Sequence, residues 1–177
     1  LNVRTAPWFA DVASGSIGEM ESYVGQPVRN EWVQAIEGAG TISLPYAAPV
    51  FDENGQIVRI WVNYASRDRI LGEIMRATRR RLEAKGLESV ETQILDASGS
   101  LLDDFDNEVI LSDINLVELG LDSASAAVNG QRGYAIEEHK RRGIVQINGF
   151  AASTGEFVGV QHGWSVLVRQ DLSEAYV

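Results

Sequence analysis

The 177-residue chain is 45% hydrophobic and 23% charged, and 15 Lys+Arg against 25 Asp+Glu give it a formal charge of −10. A chain of this length buries roughly 70% of the surface its unfolded form exposes, which is globular rather than disordered, and its acidic balance argues against nucleic acid, whose phosphates call for clustered Lys and Arg. The absence of cysteine removes disulfides, thiolate nucleophiles, zinc-thiolate sites and iron–sulfur clusters together, and is in keeping with exported bacterial domains that need no staple. No stretch approaches the roughly 18 consecutive apolar residues of a membrane helix, and Leu1-Asn2-Val3-Arg4 does not form a signal peptide.

In chain order, residues 1–40 read as aromatic-rich helix or loop. Thr41 to Tyr64 reads as a hairpin: an apolar run from Ile42 to Phe51, the turn Asp52-Glu53-Asn54-Gly55, then Gln56 to Tyr64, with Ile57, Arg59, Trp61 and Asn63 on one face. Gly55 supplies positive φ, and Asp52 and Asn54 can bond local backbone. Ser66 to Lys85 has helical chemistry, with Ser66 as N-cap, Asp68 near the positive dipole end, Ile70, Leu71, Ile74, Met75 and Leu82 at three-to-four-residue spacing, and Gly86 as stop. Its basic residues, Arg76, Arg79, Arg80, Arg81 and Lys85, gather at the C-terminal end, first of all as a solvated face and second as an anion- or partner-binding patch.

A second hairpin follows at Glu91–Phe105 around Asp96-Ala97-Ser98-Gly99, an Asp-x-x-Gly turn 44 residues after the first. A second helix is expected from about Asn115 to Val128, with the small run Ser123 to Ala127 permitting close packing on a sheet. Three strands then follow at Tyr134–His139, Ile144–Ala152 and Trp164–Gln170, separated by Lys140-Arg141-Arg142-Gly143 and the glycine-rich Ser153–Gly163 segment. Runs of antiparallel strands broken by a few helices mark an α+β domain. Asp171-Leu172-Ser173-Glu174 reads as a capping box opening a helix, and Leu1 with Trp8-Phe9 close behind suggests a core begun upstream, so both ends are expected to continue into a larger parent protein.

Catalytic patterns are scarce. His139 and His162 lie on different predicted elements with no metal-ligand spacing, and there is no nucleophile elbow, phosphate loop or dinucleotide fingerprint, Gly15-Ser16-Ile17-Gly18 lacking both the preceding strand and the third glycine. The acidic stretch Asp103, Asp104, Asp106, Glu108 and Asp113 lacks the loop glycine and terminal Glu of an EF-hand. No catalytic residue, metal or cofactor is therefore assigned. What remains is a crowd of aromatic and polar residues in the first third, Trp8, Phe9, Trp32, Tyr46, Trp61 and Tyr64 with Arg4, Arg29 and Asn63, which is either an ordinary aromatic core or the wall of a site for an organic anion or zwitterion.

Three stretches carry a resemblance. Ile42 to Gly55, with its Pro49-Val50-Phe51-Asp52-Glu53-Asn54-Gly55, resembles the hairpin that closes Cache sensor modules, the extracytoplasmic sensing domains of bacterial chemoreceptors, sensor kinases and cyclic-dinucleotide enzymes. Leu95-Asp96-Ala97-Ser98-Gly99 is similar to the first hairpin of such a module, and Gly163 to Tyr176 resembles a final strand with its exit helix. The resemblance implies a double-Cache arrangement. Residues 1–65 would be the second half of a distal module. Residues 66–177 would be a full proximal module with a long N-terminal helix, a PAS-like five-stranded antiparallel sheet and the start of an exit helix. It further implies a small organic ligand, carboxylate-bearing in many members, a parent anchored in the membrane through flanking helices, pairing into a homodimer, and a periplasmic or extracellular location. In such modules an Arg shortly before Trp-Tyr holds a ligand carboxylate and an Asp late in the sheet takes an amino group; Arg4 and Trp8-Phe9 match the first part with longer spacing, and Asn63 stands where the Asp is expected. The implied binding residues are Arg4, Trp8, Phe9, Trp32, Tyr46 and Asn63, and the implied function is small-molecule sensing for chemotaxis, the alternative being a non-binding interaction module of a sensor kinase or cyclic-dinucleotide enzyme.

Overall fold

A computed structural model describes residues 3–87, 89–104, 107–140, 142–153 and 163–175. These form two compact units, one over residues 3–70 and the other over 71–153 and 163–175.

The first unit is a three-stranded antiparallel sheet with two short helices. A 3-10 turn at Val3–Thr5 leads into helix α1 (Pro7–Ala13), whose N-cap Ala6 has no side-chain cap but whose first position is Pro7, with φ already set for a helix. Strand β1 (Tyr23–Val24) and helix α2 (Glu31–Glu37) follow, the latter opened by Asn30 Oδ1, which accepts from the N–H groups of Trp32 and Val33. Strands β2 (Ser43–Phe51) and β3 (Ile57–Ser66) form the expected hairpin, giving the order β1-β2-β3.

Ser66 does not cap a helix: it is the last residue of β3, paired with Ser43, and Arg67 N–H continues the ladder to Ile42 O. A whole row of cross-strand bonds outweighs the single capping bond that a serine offers. Helical backbone begins as a π-turn at Asp68–Gly72 and becomes helix α3 (Glu73–Glu83), released at Gly86 with φ +84°. Of the expected apolar stripe, Leu71 is buried and Met75 and Leu82 are half-buried, while Ile70 and Ile74 are exposed.

The second unit holds the expected five-stranded antiparallel sheet. Strands β4 (Glu91–Leu95), β5 (Leu101–Asp103), β6 (Arg132–His139), β7 (Ile144–Ala152) and β8 (Ser165–Asp171) lie in the order β5-β4-β8-β7-β6, a PAS-like arrangement. Two short helices, α4 (Asn107–Ile110) and α5 (Asp122–Val128), accompany it. The apolar core joins Leu95, Leu101, Val109, Leu116, Leu121, Ala124, Ala127 and Leu167, and the small residues of α5 let it lie close on β6, β7 and β8.

The expected helix Asn115–Val128 is broken in two. Asn115 Oδ1 accepts from the N–H groups of Val117 and Glu118 at 2.9 and 3.0 Å, and Gly120 at φ +75° ends that turn, so α5 starts only at Asp122. Nor does Asp171 cap a helix. It ends β8, and its carboxylate accepts from Gln146 Nε2 at 3.0 Å, while Glu174 takes the Ser89 N–H at 3.1 Å. Residues 172–175 form tight turns. His139 is buried at the end of β6; His162 and nearly all of the glycine-rich segment lie outside the described residues.

The two Asp-x-x-Gly turns have the same chemistry. Asp52 Oδ1 accepts from Asn54 and Gln56 N–H at 2.9 and 2.8 Å, Asp96 Oδ1 from Ser98 and Ser100 N–H at 2.8 and 2.9 Å, and each turn is followed by glycine at positive φ. They differ in surroundings: a Cβ on Gly55 would meet open space, whereas one on Gly99 would collide with the Val117 side chain. Gly55→Ala is expected to cost about 1–2 kcal/mol through left-handed strain alone, and Gly99→Ala about 2–4 kcal/mol because overpacking is added, as read by urea unfolding. A second expectation concerns α5, whose N-cap Leu121 offers no side-chain bond. Glu137 on β6 caps it from outside, accepting from Asp122 N–H at 2.8 Å and Ser123 N–H at 3.4 Å, and bonding the Ser123 hydroxyl and the Asn148 amide. Glu137→Ala should cost about 2 kcal/mol and speed hydrogen exchange along α5 ahead of the β4 and β8 amides.

Candidate functional site

The site expected from sequence lies in the first unit, and strand alternation decides its shape. On one face of the sheet, Ala47 on β2 and Ile60, Val62 and Tyr64 on β3 turn toward α1. Trp8 packs there, 4% exposed, with Val12 and Ala47, inside a rim of Val3, Ala6, Phe9, Ile17, Tyr23, Ile60 and Val62. Its indole N–H donates to the Tyr64 hydroxyl at 2.9 Å, which satisfies the one polar atom of an otherwise buried ring. Phe9 meets Trp8 edge to face, with centroids 6.0 Å apart and planes at 70°. Arg4 stands exposed in the 3-10 turn one helical turn ahead of Trp8, and is itself engaged in an interaction.

Tyr46 and Asn63 are direct cross-strand partners. Because successive side chains alternate, they occupy the opposite face from Ala47 and Tyr64, together with Arg59 and Trp61, the latter 72% exposed. Trp32 sits on α2, partly exposed, outside the Trp8 cluster. The structure thus joins Trp8 and Phe9, joins Tyr46 and Asn63, and sets those two pairs on opposite sides of one sheet.

Two residues that belong with Trp8 were not among the implied binding residues, although Tyr64 stood in the aromatic crowd of the first third. Tyr64 and Tyr23 both stand on its face, and the signal for Tyr64 was present in the sequence: period-two alternation that places Asn63 on one side must place Tyr64 on the other. Burial raises the pKa of Tyr23, with the Asp11 carboxylate and Tyr64 adding to it, and burial alone raises that of Tyr46, so both phenols stay protonated donors through neutral pH. The α1 face therefore offers aromatic walls, phenolic hydroxyls and an exposed arginine at its edge and, among the described residues, no group arranged as a nucleophile with a base.

No protein-family profile matches the chain, and no curated protein matches it by sequence. Solved structures match its fold. The periplasmic sensory domain of the Campylobacter jejuni chemoreceptor Tlp1 superposes with a TM-score of 0.72 at 18% identity, over 98% of this chain and 57% of that one. An extracellular domain assigned to the histidine kinase mmHK1S-Z3 gives 0.66 at 13% identity, over 99% and 56%. The ligand-binding domain of the Pseudomonas aeruginosa PAO1 amino-acid chemoreceptor PctC, solved with GABA, gives 0.60 at 15%, over 96% and 62%. The chain thus spans a little over half the length of these domains, and its fold is the Cache-type, PAS-like fold of periplasmic and extracellular sensory domains.

Proposed function

We propose that this chain is the small-molecule sensing region of a membrane-anchored chemotaxis receptor, lying on the periplasmic or extracellular side and carrying out no covalent chemistry. The observation that carries the proposal is the fold, shared along nearly the whole chain with sensory domains of chemoreceptors. Residues 1–65 act as the later half of a distal module and residues 66–177 as a proximal one. Within the distal part the ligand is an organic anion or a neutral compound. It rests against the face of Trp8 and Phe9, with Arg4 at the edge as the carboxylate partner; Trp32, Tyr46 and Asn63 contribute from other sides only if the ligand reaches past the sheet edge. Among the described residues no helix is long and apolar enough to cross a membrane. In this reading the parent receptor is anchored through flanking helices and pairs into a homodimer.

One observation favours a second reading. The Trp8 N–H is already bonded to Tyr64, and Tyr46 and Asn63 face away from it. That arrangement suits a structural or interaction module of a sensor kinase or cyclic-dinucleotide enzyme.

A thermal-shift screen separates the two. For the sensing reading, a metabolite carboxylate at about a hundred times its Kd should raise the Tm by about 5–10 °C. Arg4→Ala should remove the shift while leaving the unliganded Tm in place, because Arg4 is exposed. A broad carboxylate and neutral-metabolite set that shifts nothing would leave the interaction module standing.

A further inference from the structure

The two edges of the five-stranded sheet are built differently. A free edge presents unpaired N–H and C=O groups, and proteins blunt it with short strands, bulges, proline or lysine. At one edge β5 has only three residues, and its pairing with β4 is shifted between Ile94 and Leu95. The other edge, β6, is left open. It runs eight residues in unbroken register with β7, without proline or lysine, and Tyr134 and Ile136 stand 73% and 50% exposed on the face away from the α5 core.

The backbone of that edge has a definite pattern. Gln131 O accepts the Ala152 N–H at 3.3 Å, and an antiparallel ladder alternates residues that bond the neighbouring strand with residues that face away from it. Register then turns Gly133, Ala135 and Glu137 toward β7 and leaves the N–H and C=O groups of Arg132, Tyr134, Ile136 and Glu138 for whatever lies beyond the edge. The side chains of those four residues share one face and all are exposed. Their order is self-complementary when reversed. A second β6 laid antiparallel about a twofold axis at Ala135 sets Arg132 against Glu138 of the other copy and Tyr134 against its Ile136, an opposite-charge pair and an aromatic–β-branched pair, each made twice. Arg132 and Glu138 have no ion pair among the described residues. Moving the axis by one residue loses this match: centred on Tyr134 it sets Arg132 against Ile136, and centred on Ile136 it sets Arg132 against Lys140.

We propose that β6 is a self-association surface. Two copies of this chain pair edge to edge through Arg132–His139, and the two sheets continue as one antiparallel sheet in which the four edge-facing residues of each copy exchange backbone hydrogen bonds. This supplies a contact for the homodimer of the reading above, and it stands whether or not the Trp8 face binds a ligand.

Sedimentation equilibrium of the 177-residue chain, from about 10 μM to about 1 mM, is expected to show monomer and dimer in exchange. Arg132→Glu and Glu138→Arg, both at exposed positions, should each weaken the dimer about tenfold by setting like charges opposite one another twice. An equimolar mixture of the two variants should restore association, since every charge then meets its opposite. Register is read by crosslinking. The chain has no cysteine, so Ala135→Cys introduces a single thiol, which across the axis has its counterpart about 4.5 Å away, Cα to Cα, within reach of a disulfide. It should oxidise to a covalent dimer, while Ile136→Cys, displaced from its counterpart along the strand, should not. A monomer at every concentration overturns the proposal, as does a dimer indifferent to both charge changes or one that crosslinks from position 136 and not from 135. Should Ala135→Cys fail to fold, the charge variants and their mixture decide. A monomeric chain whose Tm still rises with a carboxylate keeps the sensing reading and overturns only this one.

Discussion

Strand β8 is the seam on which the second unit closes, and the ion pair between Arg169 and Glu91 holds it. β4 and β5 come early in the unit and β6 and β7 late, so the two halves of the sheet meet only where β8 pairs with β4 on one side and β7 on the other. Glu91 and Arg169 are direct partners in that register and bond at 2.8 Å with Arg169 3% exposed. At such burial the attraction has to offset the desolvation of both groups; breaking a buried pair costs about 3–5 kcal/mol, and less where Arg142, bound to the other Glu91 oxygen, still faces the carboxylate. The pair therefore acts chiefly on register. A one-residue slip of β8 would carry Arg169 to the opposite face, bring Leu167 out of the core and leave Glu91 facing Val168 or Gln170 in place of a cation.

That register also sorts the sheet face into two chemistries. Leu95 and Leu167, with Phe150 packed against them, lie toward one end and build the core with α5; Arg169, Asn148, Gln146 and Asp171 lie toward the other. Glu137 links the halves, because the carboxylate that receives the Asn148 amide also receives the first N–H groups of α5. A change in what Asn148 bonds is thereby felt at a helix terminus. Coupling of this kind can serve a sensor only if a ligand binds two arrangements with different affinity.

The sequence and the structure agree where the interaction is local. Both Asp-x-x-Gly turns were legible because everything they need, a carboxylate, two backbone N–H groups and a glycine at positive φ, lies within five residues. The strands after Asn129 were legible for a related reason, as each is bounded by glycine or polar turns. Ser66 and Asn115 show where legibility stops. Ser66 has the chemistry of a cap, but its partner is Ser43, 23 residues away, and the ladder takes precedence. Asn115 has the chemistry of a helix start, and does open one turn, yet Gly120 ends it. The buried polar side chains of the second sheet were invisible for the same reason as Ser66: Gln93, Gln146 and Asn148 are scattered along the chain and only pairing through β8 brings them to one face.

Asn63 and Tyr64 show how a one-residue difference bears on function. Positional likeness selects Asn63 as the sheet residue of a ligand site, while alternation sends it to the face of Tyr46 and Trp61 and gives Tyr64 to Trp8. A bond from indole to phenol is neutral and reversible, and the phenol keeps lone pairs and a proton of its own. A ligand oxygen arriving at α1 could therefore take the Tyr64 hydroxyl as donor without breaking the Trp8 bond, whereas an amino group would find no carboxylate facing it from β3. An aspartate at position 63 would not change this, because it would still face away from Trp8. If the α1 face discriminates between anions and amines, the discrimination rests on Tyr64 and on Arg4 at the edge, and the identity of residue 63 matters to whatever covers the other side of the sheet.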